Sequence, residues 1–116
     1  MPIQRLIPTN IEMFSGNTKL LRVTVLDQDS VVVDLTGASA TYVVTTRRGN
    51  VPLISKTVGV GITITDAVNG VLEVTLAPAD TEPLQGAHSH ELKVTDAAGR
   101  QTTVLFGSLS ILVNTA

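Results

Sequence analysis

The sequence predicts an all-β domain, and three observations lead to that prediction. Valine and threonine occur sixteen times each among the 116 residues, and β-branched side chains suit a pleated sheet better than a helix. Apolar and polar residues alternate over most of the chain, which is the period of a half-buried strand. Turn-forming residues interrupt the alternation roughly every 8 to 12 residues, a spacing typical of sandwiches and small barrels.

The strands follow from that alternation. The first clear strand covers residues 18–26, where Leu21, Val23 and Val25 share the inner face. Asn69-Gly70 predicts a hairpin because both residues tolerate positive φ. The whole pattern predicts an immunoglobulin-like antiparallel β-sandwich of about seven strands, with a short helical turn near 79–84. Further strands are expected at 31–35, 38–47, 52–58, 62–65, 72–76, 88–94 and 101–113, the last one bent at Gly107.

Residues before Thr18 have a different pattern. Their apolar residues are interrupted by Pro8, which cannot donate a hydrogen bond to a ladder. We therefore divide the chain into an N-terminal arm or edge strand, residues 1–17, and a sandwich domain, residues 18–116. The arm would dock on a neighbouring subunit, whereas the edge strand would complete the sandwich.

Composition argues against several classes of function. The net charge is −2, and Lys and Arg are scattered apart from Arg47-Arg48 beside a turn, so no basic surface for nucleic acid is expected. No apolar run reaches the ~20 residues of a membrane helix. The absence of cysteine excludes disulfides and thiolate metal sites and fits synthesis in a reducing cytosol. Charged residues are only 16% of the chain, which favours a surface partly covered by partners.

A series of short motifs runs through the chain from residue 16 to residue 113. In order they are Gly16-Asn17-Thr18, Leu21-x-Val23-x-Val25, Val33-Asp34-Leu35-Thr36-Gly37-Ala38, Asn69-Gly70, alternating Leu72, Val74 and Leu76, Leu84-x-Gly86, Leu92-x-Val94-x-Asp96, Gly99-Arg100, Thr103-Val104 and Gly107-x-Leu109. The ordered set resembles the N-terminal immunoglobulin-like domain of phage baseplate upper proteins and related small phage virion proteins. That family tends to carry aromatic residues where this chain has His88 and His90.

The resemblance implies a phage virion structural protein made in the host cytoplasm, without enzymatic activity and without a cofactor. We expect a small tail or baseplate adaptor that contacts other virion proteins and forms a homo-oligomer or a multi-copy assembly. One alternative is a capsid decoration protein on the phage head. A second alternative is a receptor- or carbohydrate-binding module on the particle surface, although three aromatic residues offer few platforms for sugar stacking.

The strongest candidate for a metal site is the pair His88 and His90, which share one strand face. Structural metal sites need about four ligands, and the chain contains no other histidine or cysteine to complete one. Asp27 and Asp29 could supply only two of the six to eight oxygen ligands that calcium needs. Hydrogen bonding within their own turn explains these two residues better. Ser89 lies on the opposite face from both histidines, so no catalytic triad is expected.

The predicted interface combines the N-terminal segment with apolar residues on the outer faces of strands, where no core would bury them. Its members are Ile3, Leu6, Ile7, Ile11, Met13, Phe14, Leu20, Leu26 and Val43.

Overall fold

The computed structural model describes residues 10–27, 29–46 and 52–113, together with the backbone of residues 7–8. Strands dominate this part of the chain, with a single four-residue helical turn, so the all-β prediction is confirmed. The elements are β1 (Ile7–Pro8), β2 (Ile11–Phe14), β3 (Lys19–Thr24), β4 (Ser39–Thr45), β5 (Ile54–Val58), β6 (Gly61–Asp66), β7 (Val71–Leu76), α1 (Pro78–Thr81), β8 (Gly86–Thr95) and β9 (Gln101–Leu112).

The strands form one hydrogen-bonded sheet that curves almost into a barrel. Its order is β1-β9-β8-β4-β5-β6-β7-β3, with β2 also pairing with β9. The sequence predicted a sandwich of about seven strands, whereas these ladders join nine strands into one sheet. Most pairs are antiparallel, but β1 and β2 run parallel to β9. The link between β5 and β6 is also parallel and only two residue pairs long.

A single core fills the interior of the sheet. The predicted inner-face residues of β3, Leu21 and Val23, are buried there, as are Val74, Leu76 and Leu92 of β7 and β8. Burying each Leu or Val side chain contributes about 1.5–3 kcal/mol. The alternation in the sequence therefore identified the inward face of these strands correctly.

The prediction of a strand at residues 31–35 is wrong. Only an isolated bridge joins Leu26 to Val32, although Val33 and Leu35 are buried. The Val33 N–H donates to the Val25 carbonyl, whereas the Leu35 N–H donates to the Ala67 carbonyl. Because successive inward residues bond to different segments, no regular ladder forms.

The last strand is not interrupted at Gly107. β9 is continuous, and Gly107 pairs with His90 of β8. The irregularity lies further back, where Leu92 is opposite Leu105 but the next residue, Lys93, is opposite Thr103. A bulge therefore leaves Val104 without its own partner, which explains why both Val104 and Leu105 are buried.

Candidate docking surface

The two edges of the sheet face each other across a groove. β2 and β3 follow one another along the chain, yet β2 pairs with β9 and β3 pairs with β7. No ladder joins β2 to β3 in the part of the chain that the structure describes. A groove of about 310 Å³ lies between them, lined by residues 19–24 of β3, by Ile11 of β2 and by Leu105 of β9. We call this feature the edge groove.

Both walls of the edge groove present backbone polar groups. The Ser15 N–H donates to the Leu112 carbonyl at 2.8 Å. By alternation, the backbone groups of Glu12 and the Phe14 N–H therefore point away from β9 and into the groove, whereas the Phe14 carbonyl accepts from the Asn17 N–H. On the other wall, the Val25 N–H donates to the Gly70 carbonyl at 2.8 Å, so the residues that face the groove are Leu20, Arg22 and Thr24. Such unpaired edges are templates for the addition of a strand.

The connection between β2 and β3 is attached to the helical turn. The Gly16 N–H donates to the Thr81 hydroxyl at 3.0 Å, and Thr81 is fully buried. The Asn17 N–H donates to the Phe14 carbonyl at 3.2 Å. Asp80 supports α1 by accepting from the Ala77 N–H at 2.7 Å, as expected for a capping residue, and its carboxylate also lies 2.8 Å from the Lys56 ammonium. The segment that joins the two walls is therefore tied to the body of the protein.

The predicted interface residues divide into three groups. Ile3 and Leu6 lie outside the described residues, and Ile7 is described only as a backbone partner of Leu105. Phe14 and Leu20 are 48% and 54% exposed, one on each wall of the edge groove.

Met13 differs from its predicted role as an interface residue, because it is buried in the core. The parallel pairing of β2 with β9 turns Met13 inward and turns Glu12 and Phe14 outward. Ile11 is partly buried and packs against the same core. Residues 11–14 therefore lie in an edge strand that contributes to the core of this chain.

Leu26 and Val43 are both partly buried rather than fully exposed. Leu26 bridges to Val32, and Val43 lies on the outer face of β4. A second groove of about 310 Å³ crosses that face. The lining residues are Thr41, Val43, Glu91, Lys93, Thr95 and Gln101.

Sequence reasoning missed several exposed apolar side chains. Leu112 and Val113 are exposed beside Phe14, since Phe14 and Leu112 are direct partners in the β2–β9 ladder. The alternation could have shown Leu112 to be outward, but only the pairing places it next to Phe14. The others lie in turns or at strand ends and are Val31, Val32, Leu53, Val58, Val60 and Val68.

His88 and His90 are both buried on the inner face of β8, and each has its own partner. His88 Nδ1 lies 3.0 Å from the Gly86 carbonyl, which can only accept, so this nitrogen carries a proton. His90 Nδ1 lies 2.9 Å from the Tyr42 hydroxyl, and the two rings meet edge to face. Burial raises the pKa of Tyr42 well above its ordinary value, so the hydroxyl stays protonated. The pair therefore fills the core with satisfied polar groups.

The aspartates organise separate turns. Asp27 Oδ1 accepts from the backbone N–H groups of Asp29 and Val31, at 2.8 and 3.0 Å. Asp27 Oδ2 is buried and has no hydrogen-bond partner among the described residues. Asp96 accepts from the Arg100 N–H and side chain, and these contacts lower its pKa. Within the described ranges, no group of three or more His, Cys, Asp or Glu could hold a metal ion.

Comparisons with known proteins add no family assignment: no protein-family model matches the chain, and no curated protein matches it. Among the described residues, none of the helical structure is long and apolar enough to cross a membrane.

Proposed function

We propose that this protein is a phage virion structural protein, a small tail or baseplate adaptor that assembles through its strand edges and apolar outer-face residues. The proposal also includes the finer fold class, an immunoglobulin-like sandwich. The observation that carries it is the edge groove, where two unpaired strand edges face each other beside exposed Phe14 and Leu20. A long, uncovered edge with apolar neighbours is a liability for a protein that works alone. An assembly partner removes that liability by covering the edge.

The composition of the surface supports the same proposal. Only 16% of the residues are charged, and the strand that forms one wall of the groove carries Leu20 in an outward position. A partner that covers these side chains gains hydrophobic stabilisation as well as backbone hydrogen bonds. A sugar-binding module is less well supported, because Tyr42 is buried and Phe14 is the exposed aromatic residue in the described part of the chain.

The proposal is tested by looking for the protein in purified particles of the phage that encodes it. We expect mass spectrometry to detect the chain in the particles, in multiple copies and in the tail or baseplate fraction. Recovery from the head fraction would favour capsid decoration instead. A protein that is made during infection but is absent from the particles would exclude a virion role.

Two variants connect the particle test to the edge groove. We expect Phe14→Asp combined with Leu20→Asp to reduce incorporation at least about tenfold, because buried carboxylates without partners oppose docking. Val60→Asp is the matched control, since Val60 is 65% exposed in the turn between β5 and β6. Equal incorporation of the double variant and the control would show that docking uses another surface.

A further inference from the structure

The two walls of the edge groove complement each other residue by residue. An antiparallel alignment of β3 with β2 brings Arg22 opposite Glu12 and Leu20 opposite Phe14, all on the outer face. The same alignment brings Leu21 and Val23 opposite Met13 and Ile11 on the inner face. Opposite charges and apolar pairs in these positions stabilise a sheet. The complete set of pairs is Leu20–Phe14, Leu21–Met13, Arg22–Glu12, Val23–Ile11 and Thr24–Asn10.

The hydrogen-bonding positions agree with this alignment. On β3, the backbone groups of Leu20, Arg22 and Thr24 point into the groove, because the neighbouring positions bond to β7. On β2, both backbone groups of Glu12 and the Phe14 N–H point into the groove for the corresponding reason, whereas the Phe14 carbonyl accepts from the Asn17 N–H. The alignment therefore pairs groove-facing groups with groove-facing groups. A shift of the register by one residue would pair groove-facing backbone groups with groups that point away from the groove. It would also place inner-face side chains opposite outer-face side chains.

The two walls do not meet within one chain. An intrachain hairpin in this register would need residues 16–18 as its loop. Instead, the Gly16 N–H is bonded to Thr81, and the Asn17 N–H is bonded to the Phe14 carbonyl. Among the described residues no strand pairs with either edge, so the complementary edges can pair with another molecule.

We propose that the edge groove binds a second copy of this chain, with β3 of each copy pairing antiparallel with β2 of the other. A twofold axis parallel to the strands preserves strand direction. Because β2 and β3 run in opposite directions in each copy, β3 of one meets β2 of the other in antiparallel orientation. The contact is reciprocal and closed, as expected of an isologous dimer. The two new β2–β3 ladders would join the two open sheets into one continuous sheet.

The other twofold arrangement is less favourable. Pairing β3 with β3 in the register centred on Arg22 brings Arg22 opposite Arg22. Pairing β2 with β2 similarly brings Glu12 opposite Glu12. Like charges directly opposite one another destabilise a sheet. The charge pattern therefore disfavours these two registers, whereas the pairing of unlike edges brings Arg22 opposite Glu12.

This inference deepens the proposed function and rests on it for the idea of docking by strand edges, but its test needs no virion. A monomeric protein that is found in particles would overturn only the dimer. A dimeric protein that is absent from particles would overturn only the virion role.

The test uses the absence of cysteine in the chain. Full-length Phe14→Cys and Leu20→Cys variants are mixed and oxidised, and we expect a covalent dimer on a non-reducing gel. Each variant alone should give far less, because like positions are not neighbours in the proposed pairing. Directly opposite residues of a ladder lie about 5 Å apart, within reach of a disulfide. The matched control is a mixture of Val60→Cys and Val68→Cys, whose side chains are 65% and 66% exposed.

The double variant Phe14→Cys/Leu20→Cys separates the dimer from closure within one chain. We expect oxidation to give a covalent dimer. A monomer with an internal disulfide, or no crosslink in either experiment, would overturn the proposal.

Charge reversal gives a second measurement that does not depend on a disulfide. We expect Glu12→Arg to weaken dimerisation about tenfold in analytical ultracentrifugation, because it places like charges in both ladders. Adding Arg22→Glu together with Glu73→Arg, which keeps opposite charges in the β3–β7 ladder where Arg22 lies opposite Glu73, should restore most of the affinity. Failure of the added changes to restore the dimer, with both variants folded by circular dichroism, would count against Arg22–Glu12 pairing.

Discussion

The centre of the sheet and its two edges use similar strands in opposite ways. β8 is paired on both sides, by β4 and β9, and its inner face carries Leu92 and Val94 in full burial. In the part of the chain that the structure describes, β3 is paired on one side only, and Leu20 on its outer face is more than half exposed. Both strands alternate apolar and polar residues. The number of neighbouring strands therefore decides whether a strand mainly stabilises the fold or mainly offers a surface for association.

Substitution of one leucine in each region should give the largest contrast. We expect Leu92→Ala to cost about 2–5 kcal/mol of unfolding free energy, because it leaves a cavity between β4 and β9. Leu20→Ala should cost about 0.5 kcal/mol or less, since the side chain is largely in solvent. Denaturant unfolding of the two variants at a concentration that keeps the protein monomeric measures the difference. Equal losses would remove the distinction between the two regions.

A comparison of two glycines measures how tightly the turn next to β3 is packed relative to the exposed turn between β8 and β9. Gly70 has a φ of +72°, and a Cβ there would lie 2.7 Å from the Val33 carbonyl oxygen. Gly99 has a φ of +88°, but a Cβ there would meet open space. Replacing either glycine by alanine should lower the unfolding free energy by about 1–2 kcal/mol, because a Cβ strains a left-handed backbone. We expect Gly70→Ala to lose about 1–3 kcal/mol more, from overpacking, in the same unfolding measurement. Similar losses would show that backbone next to Gly70 moves away easily.

The Tyr42–His90 contact measures the contribution of polar groups at the centre. We expect Tyr42→Phe to lower the unfolding free energy by about 1–3 kcal/mol, because a buried hydrogen bond is lost while the ring remains. The melting transition followed by circular dichroism gives the effect. An unchanged transition would mean that His90 finds another partner without cost.

Acid should weaken the turn between β8 and β9. The Arg100 N–H and side chain lower the pKa of Asp96 from 3.8. A lowered pKa in the folded state gives stability that is present above about pH 4 and is lost as the pH falls through the folded-state pKa. We expect Asp96→Asn to be less stable than the natural sequence at neutral pH, with a difference that shrinks below pH 4. A constant difference down to pH 2 would contradict this origin.

Removal of metal ions should have the smallest effect. His88 and His90 are bonded to Gly86 and Tyr42, and Asp27 caps its own turn. We therefore expect EDTA to leave the melting temperature unchanged. A fall of several degrees that is reversed by adding back a metal ion would identify a bound ion.

Some of the candidate surface could be predicted from the sequence and some could not. Leu20 was recognised as an outward apolar residue because alternation separates the two faces of a strand, whereas Phe14 was assigned to the surface as part of the apolar N-terminal segment. Met13 was assigned to the same surface, since the sequence does not reveal that β2 pairs with β9 and turns Met13 inward. The complementarity of Arg22 with Glu12 depends on which edges stay unpaired. That property belongs to the order of strands and not to any one strand.

The sequence by itself determined the all-β class, the inward faces of the strands and the Asn69-Gly70 turn, since each depends on neighbouring residues along the chain. The tertiary structure alone decided that nine strands join into one sheet and that Val104 forms a bulge. It also decided that, among the described residues, the facing edges of β2 and β3 stay unpaired. The physical reason is that hydrogen bonds between strands join residues far apart in sequence. Alternation indicates which way a side chain points, but it does not indicate which strand lies beside it.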